Sequence, residues 1–349
     1  MKVESVKVSL PTKLMTNHVV LEQIRQQSTD TPPDKLEQIL SRVRILLRLS
    51  GSKERYWREE GETPIALLKD AYKNAMHEAH WKNEEIDLLI YVGVGRGFLE
   101  PGNAYAVAHA FGLKRAVCFD VLDACMSWSR ALELAYHYFQ SGKYKRAVIV
   151  NAEFNSTECG YPKLYNIMDE VQLESCFPAF TIGEAATVTL LSNEKNEKSE
   201  PWEFHFSSRP DLSDLCTIPL PHYKLFSDNI SERLGKNGPY VFTSYGSEMH
   251  NHGNSEGIDL FKKLSIPADK INIVFTHASS STAWESGGKA VGVEGKIYHI
   301  YPRTGNLVSA SIPAAMALAI EENKLNRGDR VVCWVASAGM SFAAYSFVF

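Results

Sequence analysis

The chain has 349 residues, 44% of them hydrophobic and 22% charged, with a formal net charge of −4 and a pI near 6.3. This is the composition of an ordinary globular protein with room for a large core, and the lack of a sustained basic face argues against nucleic-acid binding. No apolar run reaches the length of a membrane span and no apolar leader is evident at the amino terminus, so we expect neither membrane insertion nor a signal peptide.

Cysteine usage points to a reducing environment. The six cysteines, at positions 118, 125, 159, 176, 216 and 333, follow no paired or CxxC spacing. We therefore expect neither a disulfide framework nor a zinc site, and a cytoplasmic location fits best. The motif "HNHG" (250–253) lies in a Gly- and Asn-rich stretch and is predicted to be solvated surface, not a metal site.

The first half of the chain alternates strands and helices. An edge strand in "MKVESVKVSLPTKL" precedes an insert at 25–65, which contains the helix "PPDKLEQILSRVRILLRL" and the loop "SGSKERYWREEGETP". A buried strand follows in "NEEIDLLIYVGVG". The β run "CFDVLDA" then meets an amphipathic helix, and strands in "SGKYKRAVIVNAE" and "ATVTLLS" close the half.

The second half repeats this order. A polar linker, "NEKNEKSEPWE" (193–203), leads to an irregular insert at 205–260 and then to strands in "PADKINIVFTHAS", "LNRGDRVVCWVAS" and "AAYSFVF". We predict two repeated halves, 1–195 and 200–349. Strands that alternate with helices imply an α/β fold whose largely parallel sheets are covered by helices.

Cys125 stands where the run "CFDVLDA" meets the helix after it. At the first turn of a helix, a thiol lies beside unpaired backbone N–H groups and the positive end of the helix dipole, which lowers a cysteine pKa from about 8.5. The same N–H groups can receive an oxyanion when a thioester is attacked. On the residues alone, Cys125 is either a nucleophile or a small core residue.

His277 and Asn306 hold comparable places in the second half. His277 ends the strand "INIVFTHAS", and Asn306 lies between a turn glycine and a helix in "YPRTGNLVSASIPAAMALAI". A histidine can be a structural hydrogen bonder and an asparagine a turn or N-cap residue. A cysteine nucleophile, however, needs a base or a donor nearby, and three polar residues at corresponding strand ends together predict one shared site.

Four segments carry a resemblance to a known family: "FDVLDACMSWSRALELAYHYFQSGKYKRAVIV", "VFTHAS", "TGNLVSASIPAAMALAIEENKLNRGDRVV" and "ASAGMSFAAYSFVF". Across nearly its whole length the chain resembles thiolase-fold condensing enzymes, and most closely β-ketoacyl-[acyl-carrier-protein] synthase III. The resemblance implies a thiolase-like fold of two pseudo-repeated halves in five layers, αβαβα. It also implies a catalytic triad of Cys125, His277 and Asn306.

The implied mechanism is ping-pong and needs no metal or redox cofactor. Cys125 takes an acyl group from a coenzyme A or acyl-carrier-protein thioester, and its backbone N–H with that of Ala338 or Gly339 forms the oxyanion hole. A malonyl thioester then loses carbon dioxide against His277 and Asn306, and its carbanion attacks the acyl group. The resemblance implies a homodimer built around "CFDVLDA", with a heterodimer with a related subunit as an open alternative.

Several positions depart from the family pattern. In "CMSW", Met126 and Trp128 are expected to reshape the acyl pocket, with core packing as the alternative for both. The segment "HASSSTAW", with Ser279, replaces the family's Gln-Ala-Asn and its downstream arginine. Arg48 and Arg55 either line the mouth for a phosphopantetheine arm or an acidic carrier protein, or belong to a solvated face. These departures favour a role in specialised fatty-acid or polyketide metabolism and leave the usual primer and carrier in doubt.

Three other functions remain open at this stage. The acyl group can pass from Cys125 to an oxygen or nitrogen acceptor, with His277 as the general base. The chain can be a non-catalytic partner subunit, although its intact triad argues against this. Chemistry like that of hydroxymethylglutaryl synthase needs a carboxylate base, for which Glu153 and Glu184 are the candidates.

Overall fold

A computed structural model describes residues 1–156, 160–194 and 200–349. Cys159 and the centre of the predicted linker, 195–199, lie outside the described residues. The strands are β1 (Lys2–Ser9), β2 (Lys13–Thr16), β3 (Glu54–Trp57), β4 (Leu88–Val92), β5 (Val117–Val121), β6 (Arg146–Glu153), β7 (Ala185–Ser192), β8 (Glu203–Ser208), β9 (Cys216–Thr217), β10 (Thr243–Ser244), β11 (Ile273–Thr276), β12 (Arg330–Ser337) and β13 (Ser341–Val348). The α-helices are α1 (Asn17–Gln27), α2 (Pro33–Ser50), α3 (Pro64–Ala79), α4 (Asn103–Phe111), α5 (Ser127–Gln140), α6 (Leu173–Cys176), α7 (Gly246–Phe261), α8 (Ser281–Ala290), α9 (Tyr301–Thr304) and α10 (Ser311–Glu321).

Two mixed sheets form the framework, and their strands follow the same order. The first sheet runs β1-β7-β6-β4-β5, and the second runs β8-β13-β12-β11. In the first sheet β4 is parallel to β6 and to β5, and in the second sheet β11 is parallel to β12. The other neighbouring strands of both sheets are antiparallel. A single parallel bridge between Val274 and Ile297 occupies the place that β5 has in the first sheet. The two sheets therefore share one topology.

Helices α5 and α10 lie between the two sheets. They bury one apolar cluster together with side chains from β4, β6, β11, β12 and β13. Helices α3 and α4 cover the outer face of the first sheet, and α7 covers that of the second beside α8. The result is an α/β fold in five layers, αβαβα, the arrangement that the family resemblance implied.

Helix α5 is fixed to both sheets. Its buried face includes Ala131, Leu132 and Ala135 at helical spacing. The Trp128 indole N–H donates to Thr189 Oγ1 of β7 at 3.1 Å, and Ser129 Oγ lies 2.9 Å from the Tyr345 hydroxyl of β13. Because buried polar groups need partners, these two bonds fix the helix in register with both sheets. The residues that precede α5 are thereby held at the junction of the two halves.

The two inserts are more regular than predicted. Within the expected loop of the 25–65 insert, β3 pairs with β2 in a two-stranded ribbon, while the predicted helix is present as α2. The insert predicted as irregular over 205–260 begins inside β8 and ends with α7. Only 209–245 is largely without long elements. The expectation of a wholly irregular insert is therefore wrong.

No helix in the described part of the chain is long and apolar enough to cross a membrane. The division into halves at 195–200 falls partly on residues that the structure does not describe, so it stays a prediction. The cytoplasmic location inferred from cysteine usage also stays a prediction.

Candidate active site

Cys125 lies in a tight turn between β5 and α5. Residues Ala124–Met126 form a single 3₁₀ turn, and Ala124 has a φ of 44°, which a non-glycine residue adopts at a cost in strain. The Ser127 hydroxyl accepts from the Asp123 N–H at 2.8 Å and donates to the Ala124 carbonyl at 2.7 Å. These two bonds hold the strained turn and present Cys125 ahead of the first turn of α5.

Burial opposes ionisation of the Cys125 thiol. It raises the pKa of Cys125 well above its ordinary value, and the Cys216 thiol and the Glu153 carboxylate raise it further, while the Ser337 hydroxyl lowers it. The lowered pKa that the sequence led us to expect is therefore wrong, because desolvation outweighs the helix terminus. A thiol in this state needs a base that takes its proton during attack.

His277 follows β11 and is 5% exposed. Burial, together with the charge of His250, lowers the pKa of His277 to about 4, and the Val308 carbonyl acts in the opposite direction. The imidazole is therefore neutral at pH 7. Its Nδ1 lies 3.3 Å from Ser311 Oγ at the first residue of α10.

Asn306 is held in the turn between α9 and α10. Its backbone bonds to Thr181 and Gly183, and its Oδ1 accepts from the Val308 N–H at 2.8 Å. Val308 has a φ of 51°, which is strained for a β-branched residue. Because Oδ1 is committed to the turn, the amide Nδ2 hydrogens are left as the donors of this side chain. Asn306 is thus a turn residue, as one alternative held, and also a fixed amide donor.

A narrow cavity, too tight to hold a water molecule, lies between the two halves of the chain at this site. Both Cys125 and His277 line it, so the structure brings these two predicted residues together. Asn306 lies next to the lining but is not part of it. The remaining lining residues come from α5, from the turn into α10 and from β12: Trp128, Ser129, Val308, Ser309, Ser311, Ile312 and Val335.

Glu153 is a buried carboxylate behind this cavity. It ends β6, has no exposed area, and accepts from the backbone N–H groups of Val94, Gly95 and Ser309, from the Ser309 hydroxyl and from the Asn155 amide. Glu184, equally buried, accepts from the Arg58 backbone and from the backbone and hydroxyl of Ser156. Since internal donors surround both carboxylates, neither resembles the free base that a hydroxymethylglutaryl-synthase-like reaction needs.

The other predicted site residues are dispersed. Trp128 lines the cavity, whereas Met126 is fully buried in the core cluster between the sheets and does not line it. Ser279 accepts from the Trp284 indole at 3.2 Å. Ala338 and Gly339 form the turn between β12 and β13, beside the Cys125 turn.

The two arginines predicted at the mouth of the substrate site differ in exposure. Arg48 is exposed on α2. Arg55 is fully buried, and its guanidinium donates to the Met15 carbonyl, Asn17 Oδ1 and Ser52 Oγ at 2.9–3.0 Å. The structure therefore contradicts a mouth position for Arg55, which instead fixes the first insert to the core.

Sequence analysis missed two residues near His277. His250 belongs to the "HNHG" motif predicted as a solvated loop, but it lies half-buried on α7 and its charge acts on His277. Ser311 carried no signal beyond its position five residues after Asn306. Within the described ranges, no three or more His, Cys, Asp or Glu side chains gather as a metal ion requires.

Comparisons with known proteins agree with this arrangement. Two family models match: 3-oxoacyl-[acyl-carrier-protein] synthase III over residues 119–210, and the C-terminal part of the same synthase over 261–349. Together they cover more than half of the chain. The first segment contains Cys125, and the second contains His277 and Asn306.

Individual relatives extend the likeness over most of the chain. β-Ketoacyl-[acyl-carrier-protein] synthase III of Aliarcobacter butzleri is 27% identical over 87% of this chain and 89% of its own length. The same synthase of Fusobacterium nucleatum is 24% identical over 84% of this chain and 87% of its own length.

Solved structures share the fold at low sequence identity. The 3-oxoacyl-[acyl-carrier-protein] synthase III of Aquifex aeolicus superposes with a TM-score of 0.79 at 21% identity, covering 100% of this chain and 99% of that one. Xanthomonas campestris OleA with bound lauric acid and lauroyl-CoA superposes with a TM-score of 0.80 at 18% identity, covering 99% and 98%.

Proposed function

The chain belongs to the 3-oxoacyl-[acyl-carrier-protein] synthase III family of condensing enzymes, and we propose that it loads an acyl group onto Cys125 and condenses it with a malonyl-type thioester. Members of this family need no metal or redox cofactor, because their substrates are coenzyme A or acyl-carrier-protein thioesters. The observation that carries the proposal is a cavity lined by Cys125 from one half and His277 from the other.

Loading begins when the Cys125 sulfur attacks the thioester carbonyl and its proton passes to His277. A tetrahedral oxyanion forms, which the backbone N–H groups of Cys125 and of Ala338 or Gly339 stabilise. The intermediate collapses, the carrier thiol leaves with the proton, and an acyl thioester remains on Cys125. Water-poor surroundings favour this step because they strengthen each of these hydrogen bonds.

Condensation uses the second half of the site. Loss of carbon dioxide from the malonyl group leaves an enolate, whose oxygen needs a preorganised neutral donor. The Asn306 Nδ2 group supplies it, since its Oδ1 is already bound to the Val308 N–H. The carbanion then attacks the Cys125 acyl carbonyl, and expulsion of the cysteine sulfur releases a β-keto thioester.

The Asn306→Asp substitution tests whether Asn306 serves condensation and not loading. An aspartate keeps an acceptor for the Val308 N–H but replaces the donor with a negative oxygen facing the enolate. We expect condensation to fall by about 10²–10³-fold while loading of Cys125 changes only a few-fold. Loading is followed by intact-protein mass, and condensation by carbon dioxide release together with the β-keto product.

The same assay on the wild-type protein can contradict decarboxylative condensation. With wild-type protein, an acyl-CoA donor and malonyl-CoA, carbon dioxide and β-keto thioester must form in equal amounts. A carbon–carbon product without carbon dioxide loss, or equal losses of loading and condensation in Asn306→Asp, contradicts it. Asn193→Asp, at a distant surface turn, serves as the matched control.

A second candidate is acyl transfer from Cys125 to an oxygen or nitrogen acceptor. The observation that favours it is the neutral state of His277, whose pKa of about 4 leaves the ring able to accept a proton from an alcohol or amine at pH 7. In this case the acyl-enzyme, isolated and mixed with nucleophile alone, turns over without malonyl thioester. In the condensation mechanism it does not.

The acyl group is proposed to be apolar, and Trp128 to limit its size. Trp128 lines the cavity and is only 1% exposed. Trp128→Phe removes one ring and the bond to Thr189, so we expect loading to shift toward longer acyl chains. Relative loading rates across a series of acyl-CoA donors, from acetyl to lauroyl, measure the shift; an unchanged preference contradicts the role. OleA, which binds lauroyl-CoA, supports testing long donors.

We also propose a homodimer formed through β5. This strand is the edge of the first sheet and is half-exposed, and exposed apolar side chains stand at its first residue, Val117, and directly after its end, at Leu122. An unpaired edge with apolar neighbours is a surface that proteins cover. In the alternative, a heterodimer with a related subunit, the same edge is covered.

We further propose that the enzyme acts in specialised fatty-acid or polyketide metabolism.

A further inference from the structure

The Ser311 hydroxyl lies between the catalytic histidine and the turn that carries Asn306. Its Oγ is 2.8 Å from the Val308 carbonyl oxygen and 3.3 Å from His277 Nδ1. Ser311 is 1% exposed and His277 is 5% exposed, so water does not compete for these bonds. Both residues line the cavity that contains Cys125.

The direction of these bonds follows from their chemistry. A carbonyl oxygen only accepts, and the Val308 oxygen at 2.8 Å is closer to Ser311 Oγ than His277 Nδ1 at 3.3 Å, so we assign the single hydroxyl proton to Val308. Toward His277 the hydroxyl then offers a lone pair, and the bond forms only if Nδ1 carries the ring proton. In a neutral imidazole the other nitrogen, Nε2, is then unprotonated.

We propose that Ser311 is a positioning residue that holds His277 in the Nδ1–H tautomer, so that Nε2 accepts the Cys125 proton during loading. The inference rests on the proposed acyl loading of Cys125. In the step, the S–H bond breaks as Nε2–H forms and the sulfur bonds to the acyl carbon. The carbon–sulfur bond of the donor then breaks, and its sulfur takes the proton from Nε2.

One residue, Val308, links the two side chains through its backbone N–H and its carbonyl. Val308 donates its N–H to Asn306 and accepts from Ser311, which in turn accepts from His277. In this tautomer the resting His277 presents no N–H at Nε2, so it serves loading, while the Asn306 amide serves the enolate. The family resemblance implied two donors at that oxygen; the hydrogen-bond pattern of this chain assigns them to different half-reactions.

Few ionisable groups interact with this pair. His277 interacts with His250 of α7, and the Cys125 thiol interacts with Cys216 of β9 and Glu153 of β6. Between pH 6 and 9 the His277 ring stays neutral, because its pKa is about 4. The pH dependence of loading over this range therefore reports how the thiol loses its proton. With Nε2 as the base, the rate is nearly flat; without it, reaction depends on free thiolate and rises with pH.

Single-turnover loading of Ser311→Ala is the test, followed by quenched-flow and intact-protein mass with the acyl-CoA that wild type loads fastest. We expect about 10-fold slower loading than wild type at pH 6.5, with the difference closing toward pH 9, and recovery in Ser311→Thr. Ser28→Ala is the matched control: Ser28 is a fully buried serine that bonds Tyr165 and Ile167 and does not line the cavity. It should lose stability without any change in loading.

The outcomes separate this inference from the proposed function. If wild type loads and Ser311→Ala loads at the same rate with the same flat pH profile, the tautomer assignment is wrong and the function stands. Ser311→Thr as slow as the alanine variant also overturns it. If wild type does not load, the proposed function fails first. Should the alanine variant be insoluble, Ser311→Cys, which keeps the size but bonds weakly, must show the same pH-dependent defect.

Discussion

Replacing Cys125 with alanine is expected to abolish the mass increment that wild type acquires from acyl-CoA, a loss of at least about 10³-fold in loading rate. The reason is geometric. Among the described residues, Cys125 supplies the only thiol that lines the cavity shared with His277. The alanine keeps the turn held by Ser127, whose bonds involve the backbone of residues 123 and 124. The fold is therefore retained while the nucleophile is removed.

The control for this experiment is Cys118→Ala. Cys118 lies on β5 and, like Cys125, is partly exposed. It should load like wild type. An increment that survives in Cys125→Ala and disappears in Cys118→Ala would falsify the assignment. If wild type itself never loads across a panel of acyl thioesters, a non-catalytic partner subunit becomes the better explanation.

The central strands could be predicted because they are buried on both faces. Strands β4, β6, β7 and β11 read as continuous apolar runs such as "LLIYV" and "IVFT", with few polar interruptions. Their order repeats in the two halves, and this repetition also led to the correct fold class. An apolar run of this kind reflects local burial, so it can be recognised in one sequence without knowledge of the distant contacts.

Elements stabilised mainly by distant contacts were missed. Helix α7, "GSEMHNHGNSEGIDLF", contains glycine, asparagine and histidine, all poor helix formers, and its fit on β13 supplies the stability. Gly253 lies against Met340 and Phe342, where a larger side chain does not fit without a shift. Strand β3 is short and belongs to a two-stranded ribbon, so it has no apolar run from which a strand could be predicted.

In the candidate site, too, the positions set by local sequence could be predicted, whereas the properties set by distant contacts could not. Cys125, His277 and Asn306 follow strands or turns, so their approximate meeting point could be inferred from topology. The tautomer of His277 and the pKa of Cys125 depend on Ser311, Cys216 and other residues far away in sequence. The sequence argument considered the helix terminus but not the desolvation that opposes it, and desolvation is the larger effect.

Glu153→Gln is expected to lower the free energy of unfolding by about 3 kcal/mol, because it replaces a buried acceptor pair with an amide. One carboxylate oxygen accepts from the Val94 N–H and from the backbone and hydroxyl of Ser309; the other accepts from the Gly95 N–H and the Asn155 amide. Whichever position the new NH₂ group takes, it faces at least two donors.

The surroundings of Glu153 leave little room to relax. A side chain at Gly93 would place its Cβ 2.3 Å from Glu153 Oε1 and 2.8 Å from Ser309 Oγ, so the loop after β4 packs directly on this carboxylate. Urea unfolding followed by circular dichroism measures the loss. Glu322→Gln, at a partly exposed pair with Arg303, is the control and should change the midpoint little, since solvent-screened pairs contribute little. Glu153→Gln as stable as wild type would show that this junction of the two halves does not need a charged acceptor, and that the backbone donors of Val94, Gly95 and Ser309 are satisfied in some other way.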